Sequence, residues 1–219
     1  MEHRVSDVGV LDKAVLVLDA VAAGPKGLGE LVAATDLPRA TAHRLAVALE
    51  VHGLLRRDGD GRFAPGLHLA ALGRAAAAAF PLAELARPAL EQLRSATGES
   101  VQLYVRDGDL RRCIASLDSP NELRTIVAVG SRLPLDRGSA GKVLVDPAVV
   151  GRRGWVESVE EREAGVASVS APVVGVDGTV MAAVSVSGPV GRTTRQPGRR
   201  YGELVAAAAA EIAAALETP

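Results

Sequence analysis

Aromatic residues are nearly missing from this chain of 219 residues, which has two Phe, two Tyr and one Trp. With 48% of residues apolar, the core must be built from Ala, Val and Leu, which suits closely packed helices and small-residue interfaces. Cysteine is as scarce. The lone Cys113 excludes an internal disulfide, and no Cys/His cluster offers a zinc site, so neither metal nor cofactor is expected. Charge of one sign is lacking too: 25 Lys and Arg stand against 26 Asp and Glu, a net charge of −1. That excludes a general polyanion binder, and contact with nucleic acid must come from a local patch. No apolar run is long enough to span a bilayer; "AAAAAF" and "VAAAAAEIAAAL" read as alanine-rich helix formers. The start, "MEHRVSDVGVLDK", lacks the apolar core of a signal peptide. A reducing, cytoplasmic location and no membrane partner are expected.

What is present falls into two parts. Val10–Ala23 is apolar at helical spacing through Leu11, Ala14, Val15 and Leu18, and Gly24-Pro25 stops it. Gly29–Ala34 reads as a second short helix. Asp36 is expected to cap a third, with Pro38 just inside it and Gly53 at its end. The run Asp58-Gly59-Asp60-Gly61 then signals a tight turn between two short strands. Three short helices and a hairpin make a winged helix-turn-helix over residues 1–66. A linker helix follows over 67–81, broken by Phe80-Pro81, and a second domain occupies 82–219. That domain opens with a helix over Leu82–Thr97. Strands follow in "SVQLYVRDGDLRRCIASL" and "LRTIVAVG", then a short helix at "GSAGKVLV" and a stretch that is mostly loop, "RRGWVESVEEREAG". "VASVSAPVVGVDGTVMAAVSVSG" reads as a hairpin around Asp177-Gly178, and a helix from Gly198 to Leu216 closes the chain. The fold class is α+β.

The third helix carries Arg39, Ala40, Thr41, His43 and Arg44 in its first two turns, with Leu45, Val47, Ala48 and Leu49 as its expected apolar side. A recognition helix offers its N-terminal residues to base edges in the major groove. Arginine suits guanine O6 and N7, and threonine can pack on a thymine methyl. Arg56, Arg57 and Arg62 flank the following turn, where they can meet phosphates or a minor groove. The alternative is a solvated basic helix face. A Pro-started helix after a short turn, followed by an arginine-edged hairpin, favours double-stranded DNA.

These stretches carry a resemblance. "GLGELVAATDLPRATAHRLAVALEVHGLLRRDGDGRFAPGLHLAALG" resembles the DNA-binding half of the IclR family of bacterial transcription regulators. "LPLDRGSAGKVL" and "GVASVSAPVVGVDGTVMAAVSVSGP" resemble two signature stretches of that family's effector domain. "GVLDKAVLVLDAV", "TAHRLAVALE" and "EREAGVASVSAPV" are similar to an actinobacterial subgroup controlling leucine and other amino-acid biosynthesis genes. The resemblance implies a homodimer or tetramer on a palindromic operator. It also implies a GAF-like effector domain, an antiparallel sheet flanked by helices, with effector contacts at Ser139, Ala140, Ser158, Ser168, Ser185 and Ser187. The chain departs from the family pattern where Ser158 replaces a frequent acidic residue and Ser168 an occasional cysteine. It is also short between Asp146 and Gly151, where relatives usually carry another helix. That shortening leaves a pocket partly unroofed, covered by a partner subunit, or without a ligand.

The hairpin yields a reading of its own. If Val176 faces Thr179, then Ser170 faces Ser185 and Ser168 faces Ser187, and all four hydroxyls share one face. The opposite face, with Ala167, Val169, Ala171, Val184 and Val186, suits a core. Clustered hydroxyls need partners if buried. A helix starting at Ser139 would add N–H groups that favour a carboxylate. An amino acid or small organic acid fits such a pocket; a wet serine face is the alternative. Trp155 either closes one side of the pocket or lies in the core or a subunit contact.

Enzyme chemistry finds little support. "GSAGK" lacks the first glycine of a phosphate-binding loop, since Asp136 stands there, and Val143 replaces the Ser/Thr. Cys113 lies in an expected strand with no His nearby in sequence, and no nucleophile elbow appears. The expectation is a ligand-responsive repressor, with an assembly-only second domain as its rival.

Overall fold

The computed structural model describes residues 8–79 and 81–217. The chain divides into two compact units between residues 80 and 81, each described by itself. The expected break at Phe80-Pro81 falls in part on Phe80, which lies outside the described residues.

The first unit comprises α1 (Gly9–Ala22), α2 (Leu28–Thr35), α3 (Arg39–Val51), the hairpin β1 (Leu55–Arg57) and β2 (Phe63–Pro65), and α4 (Leu67–Ala79). Its core joins Val17, Val21, Leu31, Leu37, Ala42, Ala46, Leu49 and Leu55 around a fully buried Phe63. Small residues on α3 let the helices approach closely. The buried stripe of α1 is Val17 and Val21, with Ala14 and Leu18 half-buried, whereas Leu11 and Val15 are exposed. Apolar residues occur around much of this helix, so periodicity alone selects the wrong stripe. On α3 the buried residues are Ala42, Ala46 and Leu49, while Ala48 is exposed.

Asp36 closes α2 instead of capping α3. It adopts φ 54°, and its N–H donates to Val32 O at 3.0 Å. Asp is among the few residues that tolerate this left-handed conformation. Pro38 stands just before α3, not inside it. Lys26 and Phe63 exchange two backbone hydrogen bonds of 2.9 Å, which tie the α1–α2 connection to the hairpin. Gly66 packs on the Gly53 backbone with no room for a Cβ, and its N–H donates to Leu54 O at 2.8 Å.

The second unit opens with α5 (Leu82–Thr97). Its strands are β3 (Ser100–Asp107), β4 (Leu110–Leu117), β5 (Arg132–Pro134), β6 (Val156–Val159), β7 (Val166–Val174) and β8 (Val180–Pro189). They form one antiparallel sheet in the order β5-β4-β3-β8-β7-β6. Helix α6 (Ser139–Val145) and a 3₁₀ stretch (Pro147–Arg153) lie between β5 and β6. Helices α7 (Val190–Thr193) and α8 (Pro197–Glu217) end the unit. α5 and α8 cover one face, where Val101, Leu103, Val169, Ala171, Val184 and Val186 meet Leu90, Leu93, Val205 and Ile212. α6 covers the other, with Val143 and Leu144 against Tyr104, Cys113 and Ala183.

One expectation fails here, and a second is incomplete. Leu123–Gly130 is not a strand; the paired segment is Arg132–Pro134. The earlier stretch runs beside the sheet, with Thr125 and Val127 buried and Thr125 O accepting from Ser100 Oγ at 2.7 Å. The expected loop after Gly154 contains β6, whose short "VESV" has weak alternation and gains its ladder from β7. The β7–β8 hairpin keeps the expected serine pairs, Ser168 with Ser187 and Ser170 with Ser185. The turn differs: Gly175 N–H donates to Thr179 O at 2.8 Å, and a bulge at Met181 restores the register.

Trp155 belongs to the α8 side of the sheet. Its ring lies on Gly198 and Gly202, one helical turn apart, where a Cβ at either position would overlap the indole. Gly202→Ala should therefore lower stability by about 1–3 kcal/mol through overpacking, measured by equilibrium denaturation of the full chain. Unchanged stability would show that the ring can withdraw.

Candidate functional site

The first unit turns a basic surface outward. Burial of Ala42, Ala46 and Leu49 leaves Arg39, Ala40, His43 and Arg44 exposed and Thr41 half-buried. The four exposed residues and Thr41 occupy the first half of α3, where a groove-reading helix makes its base contacts. No side-chain hydrogen bond caps the helix start.

The three hairpin arginines differ in their commitments. Arg57 lies over the Phe63 ring at 3.6 Å, donates from Nη1 to Gly61 O at 2.8 Å and pairs with Glu50 at 3.3 Å. It stiffens the wing from inside. Arg62 pairs with Asp58 at 3.1 Å, and Asp58 Oδ1 accepts N–H bonds from Asp60 and Arg62. These hydrogen bonds, the one from Arg62 N–H foremost, hold the Asp58 carboxyl below its usual range. Arg56 is exposed, with one long 3.5 Å bond to the Arg57 carbonyl. It is the wing cation most available to a phosphate.

The second unit holds a cavity of about 20 Å³ on the polar face of the sheet. Ser139, Ala140, Ser158, Ser168, Ser185 and Ser187 line it, together with Gly138, Tyr104, Val166, Arg111 and Arg162. The serine face is therefore covered, not wet. Ser139 is fully buried, with its Oγ 2.7 Å from both Ser168 Oγ and Ser170 Oγ. Ser158 Oγ lies 3.1 Å from Ser168 Oγ. Ser170 stands behind Ser139 and does not reach the cavity. Ser187 Oγ donates to the buried Gln102 Oε1 at 3.0 Å. Ser185 lines the cavity with no hydrogen bond from its hydroxyl among the described residues.

Two features escaped the sequence reading. Arg111 on β4 is only 3% exposed. Its Nη1 donates to the Pro134 and Arg137 carbonyls, its guanidinium carbon lies 5.4 Å from the Tyr104 ring centre, and its Nε has no partner among the described residues. Burial pulls its pKa down, and neighbouring Arg162 acts in the same direction. The second feature is Glu161, in what reads as a solvated charged turn. Its carboxylate accepts the Gly138 N–H at 3.2 Å and pairs with Lys142. The start of α6, expected to receive a ligand carboxylate, already holds one from the chain. Cys113 is buried, with its thiol pushed up to about 12 by desolvation, which suits an inert core thiol. Among the described residues no group of His, Cys, Asp and Glu could hold a metal, and no helix is long and apolar enough to cross a membrane.

Family comparison decides what these two surfaces belong to. The IclR helix-turn-helix domain matches residues 10–59, and the bacterial transcriptional regulator IclR C-terminal domain matches 74–150 and 148–214. The chain belongs to the IclR family. It is a DNA-binding transcriptional regulator of that type. The break in the C-terminal match falls on the shortened segment, which the 3₁₀ stretch fills and Asp146 caps through the Ala148 N–H at 2.9 Å.

This IclR-family chain is 26% identical over 227 residues to the HTH-type transcriptional repressor AllR of Salmonella typhimurium, covering 88% of this chain and 84% of that protein. It is 31% identical over 118 residues to the HTH-type transcriptional regulator KipR of Bacillus subtilis, covering 54% of this chain and 47% of that protein. An IclR homologue from Microbacterium hydrocarbonoxydans, complexed with 4-hydroxybenzoate, shares the fold at a TM-score of 0.78 and 22% identity, over 96% of this chain and 100% of that one. These relatives are regulators rather than enzymes.

Arg56→Ala should weaken binding to all DNA sequences and lower the salt slope by about one. Arg57→Ala should act instead through the wing. Fluorescence anisotropy across a salt series separates them; an unaltered slope for Arg56→Ala would show that it meets no phosphate.

Proposed function

We propose that this regulator is a cytoplasmic, ligand-responsive repressor whose dimer spans two half-sites of a palindromic operator. One observation carries the DNA half of the reading: α3 buries Ala42, Ala46 and Leu49 and leaves Arg39, His43 and Arg44 outward in its first turns. Arg44 reads a base edge, Arg39 and Thr41 support it, and Arg56 fixes the frame on phosphate. Exposed Leu11 and Val15 on α1 and Leu67 and Leu72 on α4 supply apolar surface for pairing with a second copy. Repression is favoured by the repressor relative and by the simplicity of blocking a promoter. The subgroup wording points to amino-acid biosynthesis genes as targets.

The ligand half rests on the cavity, where the unbonded Ser185 hydroxyl faces a space walled by serines and arginines. A fold relative complexed with 4-hydroxybenzoate supports a small-molecule ligand for this architecture. Binding shifts operator affinity only as far as the ligand distinguishes the two states. The small volume and the shortened Asp146–Gly151 segment favour the rival, in which the second unit serves assembly alone.

Arg44→Ala should cost about 1–3 kcal/mol at the specific operator and little on unrelated DNA. Equal losses on both would remove Arg44 from the base readers. Ser185→Val should abolish the ligand response in operator gel shifts and spare DNA binding; a response that survives would move the pocket elsewhere.

A further inference from the structure

Building on the ligand-responsive reading, we propose that Arg111 and Arg162 make this cavity selective for a small dianionic acid and against amino acids. Serine hydroxyls accept and donate alike, so they do not choose a ligand's charge. The charged groups facing the cavity do, and both are guanidiniums. Arg111 is the stronger case. A buried guanidinium is costly unless an anion meets it. Its bonds go to two neutral carbonyls through Nη1, and no carboxylate pairs with it among the described residues. Nε is buried and keeps its N–H without an acceptor among the described residues, where Nη2 likewise makes no hydrogen bond. Nη2 sits beside Gly138, where a Cβ would come within 3.4 Å of it, so glycine keeps the approach open. Arg162 faces the cavity from the β6–β7 connection, and among the described residues it pairs with the exposed Glu163 at 3.6 Å.

The other local charges cancel. Glu161 is neutralised by Lys142 and the α6 N-terminus, and Asp136 pairs with Arg137 at 3.6 Å. An ammonium group entering here would meet two guanidiniums and no carboxylate lining the cavity. One carboxylate of the ligand takes the free donors of Arg111, with Ser185 Oγ beside it. The second meets Arg162, whose half-exposed side chain is the wall able to withdraw. The cavity is near the size of one water, so the ligand is short and its seating requires that withdrawal.

Titration calorimetry of the full chain with malonate, pyruvate and L-alanine tests this, since these three-carbon molecules carry two, one and no net negative charges at neutral pH. Malonate should bind at least about tenfold tighter than alanine, with pyruvate between them. Arg111→Met should erase the malonate preference, and Arg111→Lys should restore part of it. Should Arg111→Met fail to fold, Arg162→Met, altered at a surface loop, must still bring malonate down to pyruvate's affinity. Alanine binding as tightly as malonate, a preference that survives these variants, or no binding of any of the three would overturn the proposal. Malonate binding of the expected kind with unchanged operator affinity would support the charge selection and overturn the ligand-responsive function instead.

Discussion

Both faces of the second unit's sheet are covered, although one of them carries polar side chains among its apolar ones. That constraint shapes the whole unit. On the α5 and α8 side, valine and alanine fill the layer, and Trp155 fits because Gly198 and Gly202 give up their side chains to it. On the α6 side, serines, Gln102 and Arg111 are withdrawn from water, and each must find a partner or remain costly. Ser139, Ser158, Ser168 and Ser170 satisfy one another. Arg111 and Ser185 keep bonding capacity directed at the same small space.

The first unit solves a different problem with similar economy. Its core has one aromatic ring, Phe63, and the rest of the packing comes from alanine, valine and leucine. Phe63 also pairs with Lys26 through the backbone and carries Arg57 on its ring, so one residue joins the helices to the wing. Arg57 and Arg62 are spent on holding the wing's shape. Arg39, His43 and Arg44 on the outer face of α3 and Arg56 on the wing stand exposed and are not needed by the core.

Much of this was legible in advance. The helices of the first unit, both long hairpins and the serine pairing follow from local signals such as glycine turns, period-two alternation and proline breaks. The serine pairs survive even an error in the turn, because the bulge at Met181 takes up the added residue. Other features had no local signal. β6 becomes a strand only because β7 presents an edge, and the 123–130 segment, rich in β-branched residues, finds no ladder because the short β5 takes that place. The buried stripe of α1 depends on what the helix packs against, since apolar residues lie on more than one side.

The sequence by itself determined the family, the two-part organisation, the basic face of α3 and the common face of the serines, because these rest on spacing along one element or one hairpin. Tertiary structure alone decided that the serine face is buried, that Glu161 occupies the start of α6, and that Arg111 stands uncompensated in the cavity. Arg111 and Glu161 are separated from their partners by 19 residues or more, and the charge balance of a closed space is set by which distant segments enclose it.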